Sequence, residues 1–333
     1  MAKRAKKRRG LIASLVSLIL LIGLILLGGR LYFRLPVRDY YAASEPAFAI
    51  PGLTEGFVPQ GLAYDAAHDV YLVGGYMKDG RPSPIYAVNR SDGAVTKSEL
   101  TADANKPFTG HAGGLAVSGD TVLVAGSGCL WLYSLEDVIR GGTISPKGQV
   151  LATRLSENDP VGVAFVHADG NIITVGEFYR EPNYPTADTH KFTAPSGEKL
   201  QALAIRYLYN NGVLTPFQAY ALPDLVQGMT FHDDRIWLST SWGAAFSGIG
   251  SYPMDRLQQL DTLNVDGTQV PLYALDAGAR EALYKLPPMS EEIIFRDGKL
   301  LTMCESASRK YWFGLLTGGQ WCYATDLTKM APQ

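Results

Sequence analysis

One phrase recurs five times along the chain and restricts its fold more than any other feature. It is a polar or acidic residue, a glycine, a short apolar strand, a turn, and a second apolar strand. The first copy is Pro59-Gln60-Gly61-Leu62-Ala63-Tyr64, a turn at 65–69, then Val70 to Tyr76. The second begins His111-Ala112-Gly113-Gly114-Leu115 and returns through Thr121 to Ala125. The third runs Asp159-Pro160-Val161-Gly162-Val163-Ala164-Phe165 and returns through Asn171 to Val175; the fourth runs Gln227-Gly228-Met229-Thr230-Phe231 and returns through Arg235 to Ser239. The fifth, Ser290-Glu291-Glu292-Ile293-Ile294-Phe295 followed by Lys299 to Met303, carries Glu292 where the others carry glycine. Each copy reads as a hairpin, with turn-forming residues where the chain must reverse.

Aligning Gly61, Gly114, Gly162, Gly228 and Glu292 spaces the units roughly 50–65 residues apart, the length of a four-stranded blade with its loops. The fold class is therefore all-β, a β-propeller of five blades, with six the next count. A sandwich or jelly roll would leave the repetition unexplained. The longer spacings are assigned to insertions at 179–199 and 244–282. Blade five contains one strand too few, because only Trp321 to Thr325 follows its hairpin. Residues 40–50 are expected to supply the missing outer strand, since an open ring would leave an edge that unzips.

Ahead of the repeats stand Lys3, Arg4, Lys6, Lys7, Arg8 and Arg9, then an uncharged run at 10–29 rich in Leu, Ile and Val. As a helix at about 1.5 Å per residue this run spans ~30 Å, a bilayer core. A cleavable signal would have a shorter apolar run and a small-residue cleavage site; here Leu-Gly-Gly-Arg-Leu-Tyr-Phe-Arg follows. The reading is a basic cytoplasmic tail at 1–9, a single-pass signal anchor at 10–29 in contact with the lipid bilayer, a linker at 30–37 and an extracytoplasmic propeller at 38–330. The net charge of −2 includes those six cations, so the remainder is more acidic still, which excludes a nucleic-acid partner. Three cysteines are too few to staple an exported domain of this size. Cys304 and Cys322 either face each other across two strands or are small buried side chains, and the second reading is preferred.

In a propeller the first strand of each blade lines the central channel, and the residues before it stand around one mouth. The alignment places Gln60, His111, Asp159, Gln227 and Glu291 there, one per blade. Four readings are open. The side chains cap the tunnel and hold water. Or Asp159 and Glu291, with the amide oxygens of Gln60 and Gln227, are the metal candidates for a hard cation such as Ca²⁺. Or His111 and Glu291 are catalytic candidates as a general acid and base. Or the ring recognises a small polar ligand, with Tyr76, Phe178, Tyr179 and Trp242 as aromatic walls and Glu177 and Glu305 as additional acids. His68, His167 and His232 fall in or near turns and read as surface residues; His190, in the 179–199 insertion, is a candidate for a lid over the mouth. No Gly-x-Ser-x-Gly, Cys-x-x-Cys, His-Glu-x-x-His or P-loop pattern occurs.

The stretches Val58 to Asp65, His111 to Val117 and Pro288-Met289-Ser290-Glu291 resemble phrases of exported bacterial propeller proteins of unassigned activity, over roughly residues 38–330. More distantly, the Gln60-Gly61-Leu62 opening is similar to that of glutamine cyclotransferase, a five-bladed propeller that cyclises N-terminal glutamine. Only that phrase matches, and the Trp-rich pocket of that family is not evident, so the resemblance implies fold and not activity. The gluconolactonase and strictosidine synthase group is similar in blade style, but it is six-bladed and its metal ligands find no counterparts here. The expectation is a membrane-anchored propeller that binds a small polar ligand or metal at its mouth. The alternatives are a hydrolase or glutaminyl-cyclotransferase-like enzyme, and a scaffold for a protein partner.

Overall fold

The computed structural model describes residues 2–103, 106–126, 128–148 and 150–333; the side chains of 2–9, and with them the basic cluster, lie outside what is described. Five sheets, each with a core of four antiparallel strands, stand around one axis, those of blades one and three extended by further strands that join in parallel. Blade one consists of Phe57–Asp65, Val70–Met77, Pro84–Asn89 and Val95–Asp103. Blade two has Gly114–Ser118, Thr121–Gly126, Cys129–Ser134 and Val150–Ala152. Blade three has Phe165–Asp169, Ile172–Gly176, Ala202–Asn210 and Val213–Leu222. Blade four has Val226–His232, Arg235–Thr240, Ser247–Pro253 and Ala282–Leu286. The innermost hairpin of every blade turns through residues with positive φ: Asp69, Gly119, Gly170, Asp233 with Asp234, and Asp297 with Gly298. Short Asp, Asn and Gly residues tolerate that conformation, which is why these turns were visible as sequence.

Blade five closes the ring. Its inner strands Ser290–Arg296, Lys299–Cys304 and Trp321–Thr325 are joined by Ser44–Ala49, which pairs antiparallel with the last of them from Ser44 opposite Thr325 to Ala49 opposite Trp321. The shared strand comes from the segment expected to supply it. Tyr40, just ahead of it, is buried and hydrogen-bonds Thr302 at 2.6 Å, tying the chain's entry to the second strand of the same blade. Phe48 stacks on Tyr71 at 4.9 Å, so the closing strand also packs against blade one. Cys304 and Cys322 are both buried and free.

Three expectations are corrected. In blade three the innermost strand begins at Phe165, whereas Asp159–Pro160 pairs with Arg154–Ser156 in a small separate hairpin. The residue equivalent to Gly61 and Gly114 is therefore Phe165, not Gly162. The glycine has moved to the facing strand, where Gly176 pairs with Phe165 and a Cβ would lie 2.0 Å from its ring. Residues 244–282 are not simply an insertion, because they hold the third strand of blade four. They also form a hairpin, Gln259–Val265 with Thr268–Ala274, that crosses over and extends blade three by parallel pairing with Val213–Leu222. His167 and His232 are half-buried at the mouth opposite the predicted site, His232 stacked on Phe295 at 4.1 Å, while His68 is exposed.

The N-terminal helix α1 runs Ala2–Arg34 and is followed by a 3₁₀ turn at Leu35–Val37, so 30–37 is helical. The helical run Gly10–Ala42, α1 with the short turns after it, includes a stretch long and apolar enough to cross a membrane, none of it buried. The base of α1 touches the propeller. A Cβ on Gly29 would lie 2.9 Å from Leu316 Cδ1, and Phe33 is buried against Met289 and Phe313, stacking on Phe313 at 5.6 Å.

Candidate functional site

At one end of the axis a cavity of about 910 Å³ opens among all five blades. Blade one contributes Gln60 and Tyr76, and the loop entering blade two contributes His111. Blade three contributes Glu177 and Phe178 from beyond its second strand, and blade four Gln227 and Trp242. Blade five contributes Glu291 and Glu305. Of the predicted ligand-binding and wall residues, Asp159 and Tyr179 are not among the lining. Tyr179 is buried in the core between blades three and four, so it is packing and not wall. The sequence reading missed Lys310, Tyr311, Tyr184 and Met289. They lie outside the repeat phrase in irregular segments, and the repeat was the only signal available.

Glu291 is 2% exposed, faces the cavity, and accepts no hydrogen bond from any described residue. Burial first, then the neighbouring Glu305 and Glu292 carboxyls, push its own carboxyl well above the usual range. Glu305 is better partnered: it accepts from the Gln60 amide at 3.0 Å and the Tyr311 hydroxyl at 2.8 Å. Burial nonetheless raises it to about 7, although Tyr311, Lys310 and Gln60 pull the other way. Lys310 donates to the Tyr76 hydroxyl, and the Tyr76 ring stacks flat on His111 at 4.0 Å. Burial and the Lys310 charge both lower His111, which is therefore neutral near pH 7. The cavity floor thus holds two neighbouring carboxyls that burial pushes above the ordinary range. That is an arrangement in which a proton can be held and passed.

Asp159 acts one layer behind the wall. His190 is 1% exposed; its Nδ1 lies 2.9 Å from Glu177 and its Nε2 3.1 Å from Asp159. Burial opposes a charge on the ring, but the two carboxylates outweigh it and raise His190. Glu177 also accepts from the backbone N–H of Gly162 and Leu203, at 2.9 and 3.0 Å. The insertion is thereby pinned to blade three, and from it Tyr184, Pro185 and Thr186 reach the cavity. Tyr184 and Phe178 pack around Trp242 at 5.9 and 6.0 Å, and the Arg180 guanidinium lies 4.0 Å over the Trp242 ring.

The proposed calcium ligand set is not assembled, because Asp159 pairs with His190 away from Glu291. Among the described residues no group of three His, Cys, Asp or Glu side chains is arranged to hold a metal ion. No family profile and no curated protein sequence matches the chain. Several solved structures align with it at low identity and low TM-score. A nidogen/laminin complex aligns with a TM-score of 0.41 and 9% identity over 75% of this chain and 73% of its own. The glutaminyl cyclase of Myxococcus xanthus gives 0.40 and 10%, over 85% and 94%. BamB from Moraxella catarrhalis gives 0.33 and 11%, over 75% and 80%. At such scores the likenesses carry no information about activity, and the site must be read from its own geometry.

Proposed function

We propose that the chain is a membrane-anchored propeller, outside the cytoplasmic face, whose mouth cavity binds a small polar ligand bearing an amine or similar hydrogen-bond donor. Glu291 carries this reading. Its carboxyl opens into the cavity with no side-chain hydrogen bond from the described residues, and a ligand donor entering the cavity would supply one. Tyr76, Phe178, Tyr184 and Trp242 offer aromatic faces that suit a cation or a flat group. Gln60, His111, Gln227, Glu177 and Glu305 stand within the same wall, with Asp159 supporting Glu177 through His190. An uncleaved anchor is supported by Phe33, whose burial against Met289 and Phe313 would be lost with the helix; the basic N-terminal residues favour a cytoplasmic start.

The test is thermal unfolding of the full-length protein in detergent against simple amines, polyamines, amino-acid amides and Ca²⁺. An amine-bearing compound is expected to raise the melting temperature. Glu291→Gln and His111→Ala should fold normally but lose that rise, while Glu305→Gln, already occupied by Gln60 and Tyr311, loses less. If no compound shifts the transition, or Glu291→Gln keeps the full shift, the reading fails. A second reading, a hydrolase or cyclotransferase, is favoured by one observation: Glu305 and Glu291 line the same cavity, both raised by burial, as an acid and base pair would need. Turnover of a bound compound that disappears in Glu305→Gln would select it.

A further inference from the structure

The loop that carries Lys310 and Tyr311 into the cavity continues into two large apolar side chains facing outward. Trp312 is 86% exposed and Leu315 is 81% exposed, the second on the one-turn helix Gly314–Thr317. Isolated apolar residues on a surface need no explanation. These two differ because of where they stand relative to α1. The apolar run of that helix ends at Gly29, and Gly29 is the residue against which Leu316 packs. One turn further on, Phe33 stacks on Phe313, whose ring lies 5.7 Å from that of Trp312. The loop is therefore level with the end of the membrane span, where the hydrocarbon gives way to headgroups.

The surroundings have the composition of that boundary. Tyr32, exposed, lies 6.3 Å from Phe246, and Lys285 sits 4.5 Å over the Phe246 ring. Arg30, Arg309 and Lys310 are exposed nearby along the same segments. Aromatic rings with cations beside them are the side chains that settle at headgroup depth, the rings in the interface and the charges on phosphate. The rim of the cavity is built from the same pieces. Met289 lines it and packs on Phe33, and Trp242 and Gly243 line it just ahead of Phe246.

We propose that the propeller lies mouth-down on the bilayer that holds α1, with Trp312 and Leu315 inserted at the interface and the cavity opening onto the headgroup layer. The partner is the lipid surface itself, continuous with the surface α1 already crosses. The inference rests on α1 being a retained anchor and is independent of what the cavity binds.

The test uses the full-length protein in phosphatidylcholine vesicles with bromines high on the acyl chains, which quench indole fluorescence only at that depth. The chain has five tryptophans, so the Trp312 share is read as the difference between wild type and Trp312→Phe. The expected result is quenching in the wild type that is largely lost in Trp312→Phe and weakened in Leu315→Glu, both exposed positions where folding is retained. Quenching that is absent, or unchanged in both variants, overturns the proposal. So does a Trp312 emission that remains water-like and is quenched by acrylamide instead. Carbonate extraction separates the two possible failures: protein released from the vesicles means that the anchor reading has failed, whereas protein retained without Trp312 quenching means that only the docked orientation has.

Discussion

Glu292 occupies the centre of the ring and explains why the fifth copy of the repeat departs from glycine. Its carboxylate accepts the backbone N–H of Leu62 at 2.5 Å, of Leu115 at 2.8 Å and of Val166 at 3.4 Å, which belong to blades one, two and three. A Cβ on Gly114 would lie 2.9 Å from its Oε1. The glycine clears space that the glutamate of another blade fills. Burial pushes the Glu292 carboxyl up, and those N–H groups pull it back. Glu291, the preceding residue, lines the cavity with no side-chain hydrogen bond from the described residues, so adjacent glutamates have opposite roles. Each orphaned buried donor costs about 1–3 kcal/mol, so Glu292→Ala, which strands those of Leu62 and Leu115, should destabilise by ~2–6 kcal/mol in denaturant unfolding. Glu305 yields a pH prediction. Between its ordinary value of 4.5 and about 7 the folded protein holds a proton that the unfolded chain has released. Its contribution therefore makes stability fall as pH rises through that window. Melting curves of wild type and Glu305→Gln should diverge across pH 4.5–7, the variant lacking this part of the slope.

At the scale of elements, two pieces outside the repeat decide the shape of the site. The Ser44–Ala49 strand closes blade five and so fixes the position of its inner strand, from which Glu291 and Glu292 project. The 179–199 insertion forms one cavity wall and is fastened by His190 between Glu177 and Asp159. Removing one partner from a buried ion pair costs up to about 3–5 kcal/mol, and here the loss falls mainly on the insertion. His190→Ala should leave the propeller folded but make residues 180–199 the first site of limited proteolysis. Because His190 is raised above its ordinary 6.5, the fastening is complete below that value and weakens as pH climbs through the raised one. Proteolysis of the wild type should accordingly quicken on the alkaline side.

For the whole molecule, one helix and one ring are joined at the rim of the cavity, where Met289 lines the opening and packs on Phe33. On the proposed cytoplasmic start, replacing the cations at 3–9 with neutral residues would remove the charge asymmetry that orients the helix. Protease protection of intact cells should then find a larger fraction of propellers shielded inside than with the native sequence. A propeller equally accessible in both would count against the cytoplasmic start.

Repetition and local chemistry were enough to read five blades, the turns between their inner strands, the closing strand and the apolar helix, because each rests on neighbours in the chain or on a count that must balance. Gln60, His111, Gln227 and Glu291 were legible as a ring for the same reason: each stands at the start of an inner strand or just ahead of it. Blade three broke the pattern where Gly176, across the hairpin, replaced the glycine expected at the inner position, a choice that only packing of the Phe165 ring could make. Asp159 moved behind the wall with that shift. Lys310, Tyr311 and the fastening of His190 depend on irregular segments brought together from distant parts of the chain. No local spacing encodes them, and the folded ring alone decided where they stand.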